Sequence, residues 1–223
     1  MRPILIILFF MLSVVSAKSQ KWQPGTFTDN KDNQMTGLIQ PYPSGKGPVK
    51  GQAFIVFKSN KDANEMKLSA GELKSFTAGK DSFVVAHPSM GEVWPNEFDF
   101  VRVVLDEDLK LYAYQGSSKG GSGVHVAPGL GVGLGTGGFG SYAGGGVGIS
   151  FGGGGGSRRT LTYYYGANPA ELVSVTPMNF EDIMQEIMGD EPDVVDRIRA
   201  HQYNLGNINK LIDYFNQVKA SHK

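Results

Sequence analysis

No cysteine occurs anywhere in the 223 residues. That excludes a disulfide framework, a thiolate-built metal centre and the lipid-modified N-terminal cysteine of a lipoprotein, so the folded part must hold together by burial alone. Histidine is nearly as scarce: His87, His125, His201 and His222 are scattered, and no two share a helix face or strand at ligand spacing. No metal site and no cofactor are expected on these grounds. Net charge is missing as well, because 21 Lys plus Arg offset 21 Asp plus Glu. A near-neutral chain lacks the basic footprint of a nucleic-acid binder, so no nucleic-acid partner is expected.

A run long enough to cross a bilayer is also lacking. The apolar stretch 4–15 falls short of the ~20 residues that a transmembrane helix needs. It follows Arg2 and ends in Val15-Ser16-Ala17, and Lys18, Ser19, Gln20 and Lys21 then break it. A short positive start, an apolar centre and small residues at the end form the pattern of a secretory signal peptide, residues 1–17, with cleavage expected after Ala17. An exported protein of the periplasm or cell envelope, or one released outside the cell, is the resulting expectation.

Charge disappears altogether in one internal block. No Asp, Glu, Lys or Arg occurs between Lys119 and Arg158, and about every second residue from Gly116 to Ser157 is glycine. Glycine loses the most conformational freedom on folding and brings no side chain to a core, so residues 116–157 read as an insertion rather than a scaffold. Within it Val124, Val126, Leu130, Val132 and Leu134 fall on even positions, and Val147, Ile149 and Phe151 repeat an alternation with glycine. Three readings stay open: a flexible loop, a hairpin that docks on its own sheet or on a partner, and membrane contact.

The rest of the chain has two textures. From residue 22 to 115 and again from 160 to 175, short β-branched and aromatic runs alternate with turn residues. Strands are expected at 25–28, 36–40, 53–58, 82–86, 98–105, 109–114, 160–165 and 172–175. Asp106-Glu107-Asp108 reads as a tight turn, and 109–114 should pair antiparallel with 160–165 across the insertion, since loop closure costs little more as a loop lengthens. The period then changes. Phe180, Ile183, Met184, Ile187 and Met188 recur at helical spacing behind a capping Asn179. A second helix is expected over 192–200 with Asp190 as its cap, and a third over 207–219 with Ile208, Leu211, Ile212, Phe215 and Val218 as its stripe. Such apolar stripes need a sheet face to cover. The expectation is an α+β fold: an antiparallel sheet or partial barrel over 18–176, interrupted by the insertion, with a helical segment over 177–223.

Several segments, taken in order, carry a resemblance. WQPGTFTDNKDNQMTGLI from Trp22, AFIVFK from Ala53, MKLSAGELKSFTAG from Met66, FVRVVLDEDLKLYAYQ from Phe100, YYYGANPAELVSV from Tyr163 and INKLIDYFN from Ile208 resemble a family of exported β-rich proteins of Bacteroidota. The resemblance spans most of the chain outside the glycine block, which departs from the pattern. It implies an envelope module with a helical tail and carries over no catalytic residue.

Candidate chemistry is sparse. Gly133-x-Gly135-x-x-Gly138 imitates a dinucleotide fingerprint but leads into more glycine instead of a helix N-terminus. Gly116-Ser117-Ser118-Lys119-Gly120 imitates a nucleophile elbow without the following helix. The polar loop 29–34 lacks the alternating oxygen ligands and the glycine of a calcium loop. Glu97 and Asp99, two apart and near Trp94, would share one face of a strand, which is the basis for an alternative reading as an envelope glycan hydrolase. Tyr112 and Tyr114 on one strand, with Tyr163 and Tyr165 on its partner, are the candidate binding residues: aromatic pairs stabilise a sheet, and an exposed aromatic face stacks a sugar or a protein. The leading expectation is thus a non-enzymatic envelope binding or structural module whose partner is an envelope protein or glycan.

Overall fold

The computed structural model describes residues 22–89, 92–116, 149–150 and 160–222. The expected signal peptide and most of the insertion, including the first of its two proposed strands over 124–134, lie outside them. The chain forms an antiparallel sheet that does not close, together with a C-terminal helical segment, an α+β fold of mainly β character.

The first hairpin pairs β1 (Gln23–Asp29) with β2 (Gln34–Gln40), with Gly25 opposite Gly37 and Phe27 opposite Met35. Its turn is built by Asp29, whose carboxylate accepts hydrogen bonds from the Lys31 amide at 2.8 Å and the Asn33 amide and side chain at 2.9 Å each. The Asn33 side chain leads the contacts that hold this carboxyl below its ordinary range, and its oxygens serve the turn rather than a cation. β3 (Phe54–Lys58) and β4 (Met66–Ser69) extend the sheet beyond β2.

A 3-10 turn, Ala70–Glu72, then delivers the chain to β5 (Leu73–Ala78), which pairs with β1. In the sheet order β5-β1-β2-β3-β4 β4 and β5 stand four places apart, ~19 Å in a flat sheet. A 3-10 turn of this length spans only ~8 Å. The sheet must therefore curl until β4 approaches β5, and residues facing inward fill the resulting half-barrel. Phe27 meets Phe57 edge-on at 4.9 Å, while Phe76 stacks on Phe83 at 4.6 Å and meets Phe100 edge-on at 5.0 Å. Ile39, Ile55 and Leu73 complete this buried cluster. The glycine pair sits where backbone crowds close: a Cβ on Gly25 would fall 2.0 Å from the Thr77 carbonyl oxygen, and one on Gly37 2.2 Å from that of Lys58.

β6 (Asp81–Ala86), β7 (Asp99–Leu105), β8 (Lys110–Gly116), β10 (Thr160–Gly166) and β11 (Val173–Ser174) continue the same sheet, and β9 (Ile149–Ser150) joins β10 beside β11. The pairing across the insertion is as expected, in the register Gly116↔Thr160 through Gly166↔Lys110. Because Gly116 and Thr160 are direct partners, a two-residue Asn-Gly turn has the right reach to replace residues 117–159. That shortened chain is expected to stay soluble and to melt in one transition within a few degrees of the parent by circular dichroism. Aggregation or a broad, non-cooperative melt would show that the framework depends on the insertion.

Helices α1 (Phe180–Ile187), α2 (Pro192–Arg199) and α3 (Ile208–Ser221) lie against one face of this half. Their stripes, among them Ile183, Met184, Ile198, Leu211 and Phe215, bury against Leu111, Ala113 and Tyr163 of the sheet. Fully burying each such large side chain stabilises the fold by roughly 1.5–3 kcal/mol, which explains why short helices persist here. The opposite face carries Val101, Tyr112, Tyr114 and Tyr164, covered by Trp94 and Leu172.

Several expectations need correction. Asp190 does not cap α2; Glu191 precedes it, buried and bonded to His222 Nδ1 at 2.8 Å. Asn179 holds the N-cap position of α1 as expected, but its side chain reaches backward, accepting from the Thr176 amide and donating to the Ser174 carbonyl. The strand expected over 172–175 shortens to two residues. β4 and β5 were not expected: Lys67, Lys74, Ser75 and Thr77 face outward and mask the inward Leu73, Phe76 and Ala78.

Candidate functional site

Two hollows adjoin on the half-barrel. The larger, about 600 Å3, lies between the β2–β3 connection and the segment entering β7; its lining includes Tyr42, Lys46, Lys50, Gln52 and Phe54 on one side, and Asn96, Asp99, Phe100 and Gln115 on the other. The smaller, about 270 Å3, shares Pro41, Tyr42 and Gln115 with it and reaches the ion pair between Arg102 and Asp81, 3.1 Å apart. Together they make one groove of the size that small-molecule sites occupy.

Sequence chemistry explains why the β2–β3 connection stands up as a wall. Pro41-Tyr42-Pro43-Ser44-Gly45-Lys46-Gly47-Pro48-Val49-Lys50-Gly51 has prolines that restrict φ and prevent a continuous ladder, and it is longer than the usual two to five residues of a hairpin loop. Gly45 and Gly51 take φ of +96° and +80° at its bends. Its far end is stitched to the other wall by backbone bonds, from the Glu97 amide to the Gly51 carbonyl at 2.7 Å and from the Ala53 amide to the Phe98 carbonyl at 2.9 Å. Tyr42 is 41 % exposed and meets Phe83 edge-on at 6.0 Å, so its base is held while much of its ring faces the groove.

Asp99 is the carboxylate of the larger hollow. Its Oδ2 accepts from Asn96 Nδ2 at 2.9 Å and the Tyr114 hydroxyl at 3.1 Å, and its Oδ1 accepts from the Phe100 amide at 2.8 Å. Burial nevertheless pushes this carboxyl above its ordinary 3.8, outweighing the donors that favour the ionised form. Behind it, Trp94 stacks on Tyr114 at 4.1 Å and meets Tyr164 edge-on at 5.6 Å, and the Trp94 ring N–H donates to the Tyr164 hydroxyl at 3.2 Å. The Tyr164 hydroxyl in turn donates to Glu92 Oε2 at 2.7 Å. Burial raises both tyrosine hydroxyls well above the usual phenol range, Asp99 and Glu92 adding to the effect, so both stay protonated as donors. The network clamps the segment entering β7 against the sheet. Asp99 thus faces the groove on a rigid backing.

The tyrosines chosen from the sequence do not form one face. Tyr112 and Tyr114 lie on the side covered by Trp94, and Tyr163 and Tyr165 on the helical side, because the register sets Tyr164 opposite Tyr112 and Tyr163 opposite Ala113. Tyr112, Tyr114 and Tyr163 are buried, and Tyr165 is half-buried against the helical core. Tyr163 donates to Asn209 Oδ1 of α3 at 2.9 Å. Of the four, Tyr114 reaches the groove, indirectly through Asp99. Glu97 and Asp99 are not brought together either: β7 begins at Asp99, and Glu97 is exposed in the preceding bend, outside the groove lining. Among the described residues no group of three or more His, Asp or Glu side chains is placed to hold a metal ion. No helix of the described residues is long and apolar enough to cross a membrane.

Sequence reasoning missed Tyr42, Gln52, Asn96 and Gln115. The available signal was the length and Pro/Gly content of the β2–β3 connection, since long connections in compact folds are often functional. Comparison with protein-family models, with curated proteins and with solved structures gives no match.

Proposed function

We propose that this protein is an exported, non-catalytic binding module of the cell envelope whose groove takes a glycan. The observation that carries the reading is the combination on one rigid frame of an exposed Tyr42 ring, the side-chain amides of Asn96, Gln52 and Gln115, and the Asp99 carboxylate. Amides offer donors and acceptors side by side, the Asp99 carboxylate with three acceptor positions filled accepts one further hydroxyl, and an aromatic ring covers the apolar C–H face of a sugar. The sequence of residues 1–17 supports export, and the absence of net charge suits a ligand recognised by hydrogen bonds.

The test is titration calorimetry of the mature chain with hexamers of glucose and of N-acetylglucosamine. Binding of at least one hexamer is expected, and Tyr42→Ala or Asp99→Asn should each weaken it by about tenfold or more, a loss of ~1.4 kcal/mol. A site lost by unfolding would be a different matter, and pH distinguishes the two. The folded carboxyl of Asp99 lies above 3.8, so its contribution favours the fold below that value and is lost as pH rises through the folded pKa. Asp99→Asn should therefore melt no lower than the parent at pH 7, and any advantage over it should shrink as pH falls through the folded pKa and be gone below 3.8. Failure of both hexamers to bind, or unchanged affinity in both variants, would sink the proposal. Release of shorter sugars during prolonged incubation would replace it with the hydrolase reading.

A further inference from the structure

The rim of the larger hollow carries charge that the fold itself does not use. Lys46 and Lys50 line it, and neither forms an ion pair among the described residues. A third ammonium, that of Lys67, is drawn to the same wall, donating to the Lys46 carbonyl at 3.1 Å and lying 5.4 Å above the Phe54 ring. The adjoining hollow differs: its cation, Arg102, is neutralised by Asp81 at 3.1 Å. The negative charge lining the larger hollow is Asp99, whose carboxylate is already engaged by Asn96, Tyr114 and the Phe100 amide. The hollow thus has lysines without ion-pair partners among the described residues on one wall, and amides with a carboxylate on the other.

We infer that the groove selects an acidic saccharide, its carboxylate or phosphate held between Lys46 and Lys50 and its hydroxyls turned toward Asn96, Asp99 and Gln115. This rests on the glycan reading above and names the ligand class within it. Free loop lysines suit the role because an ammonium on a flexible stem adjusts to either kind of anion, whereas a fixed guanidinium fork favours one geometry. The interaction is at the surface, so salt must weaken it.

The mature chain is titrated with four probes: a hexamer of galacturonic acid, the same hexamer with its carboxyls reduced to alcohols, a sugar-bearing glycerol-phosphate oligomer, and a glutamate hexamer that has charge without sugar. The expected result is that one of the acidic saccharides binds at least tenfold more tightly than the reduced hexamer. Preference for the uronate or for the phosphate oligomer identifies the anion, and either supports the inference. Raising salt from 0.05 to 0.5 M should remove most of that preference. Lys46→Gln combined with Lys50→Gln should abolish it while leaving the melt unchanged. Equal binding of the charged and reduced hexamers overturns the inference and leaves the glycan reading standing. Tight binding of the glutamate hexamer overturns it by showing that charge alone suffices. Silence from every probe, together with silence from the neutral hexamers, removes the glycan reading and this inference together.

Discussion

Trp94→Ala is expected to cost about 3–5 kcal/mol of unfolding free energy, the range for removing a large aromatic side chain from a packed interior. Trp94 is 8 % exposed and lies over the outer face of the sheet, stacked on Tyr114 and edge-on to Tyr164. The sheet cannot collapse to refill the space, because its strands are fixed by their own ladders. The loss has a second part, since the Trp94 N–H to Tyr164 bond disappears and the segment entering β7 loses its deepest anchor. Ligand binding should fall with stability, because Asn96 and Asp99 sit on that segment. Urea unfolding followed by circular dichroism checks the first effect. Trp94→Phe supplies the comparison, keeping most of the stacking and losing only the hydrogen bond at about 1 kcal/mol. If the alanine variant loses less than about 1 kcal/mol, the aromatic clamp is not holding the segment.

Gly25→Ala should be at least as damaging, although the change adds a single methyl group. The added carbon would lie 2.0 Å from the Thr77 carbonyl oxygen of β5, inside any tolerable contact, and 3.2 Å from Ile39 Cδ1. Its cross-strand partner Gly37 is confined in the same way, by the Lys58 carbonyl at 2.2 Å and the Phe57 ring at 2.7 Å. Overpacking a core costs 1–3 kcal/mol where side chains can shift, and here the obstacle is backbone, so a loss above about 3 kcal/mol or failure to accumulate folded protein is expected. The two variants should not be additive, because a shift of β1 that relieves one clash also moves its partner. Thermal melts of Gly25→Ala and Gly37→Ala decide the matter. Near-parental melting of either would mean that the curl between β1 and β5 is looser than described.

Most of the architecture was legible because it rests on local patterns. The change from strand to helix after Val175 follows from the spacing of Phe180, Ile183, Met184 and Ile187, all buried in the structure. Pairing of β8 with β10 was readable since both arms are rich in tyrosine and deletion of the insertion leaves them adjacent. The within-strand side of each tyrosine was readable too, from the two-residue period. What the period could not supply was the register between strands: an offset of one residue exchanges Tyr163 for Tyr164 opposite Tyr112, and with it the face. The groove was illegible for a longer-range reason. Its walls come from residues 41–54 and 95–100, brought together by the curl that hands β4 to β5 and by the backbone bonds of Gly51 and Ala53 to Glu97 and Phe98. No local pattern encodes that approach. The spacing of Glu97 and Asp99 pointed to a shared strand face, but Glu97 lies before the strand begins.

Gly116 pairs directly with Thr160. What lies between them departs from and returns to a single rung of the ladder, and within it Ile149 and Ser150 add a short strand to β10. Such a joint works as a cassette port. A change in the length of the intervening piece leaves β8 and β10 paired, yet it acts one residue from Gln115, which lines both hollows. Appendage and groove therefore meet at this joint.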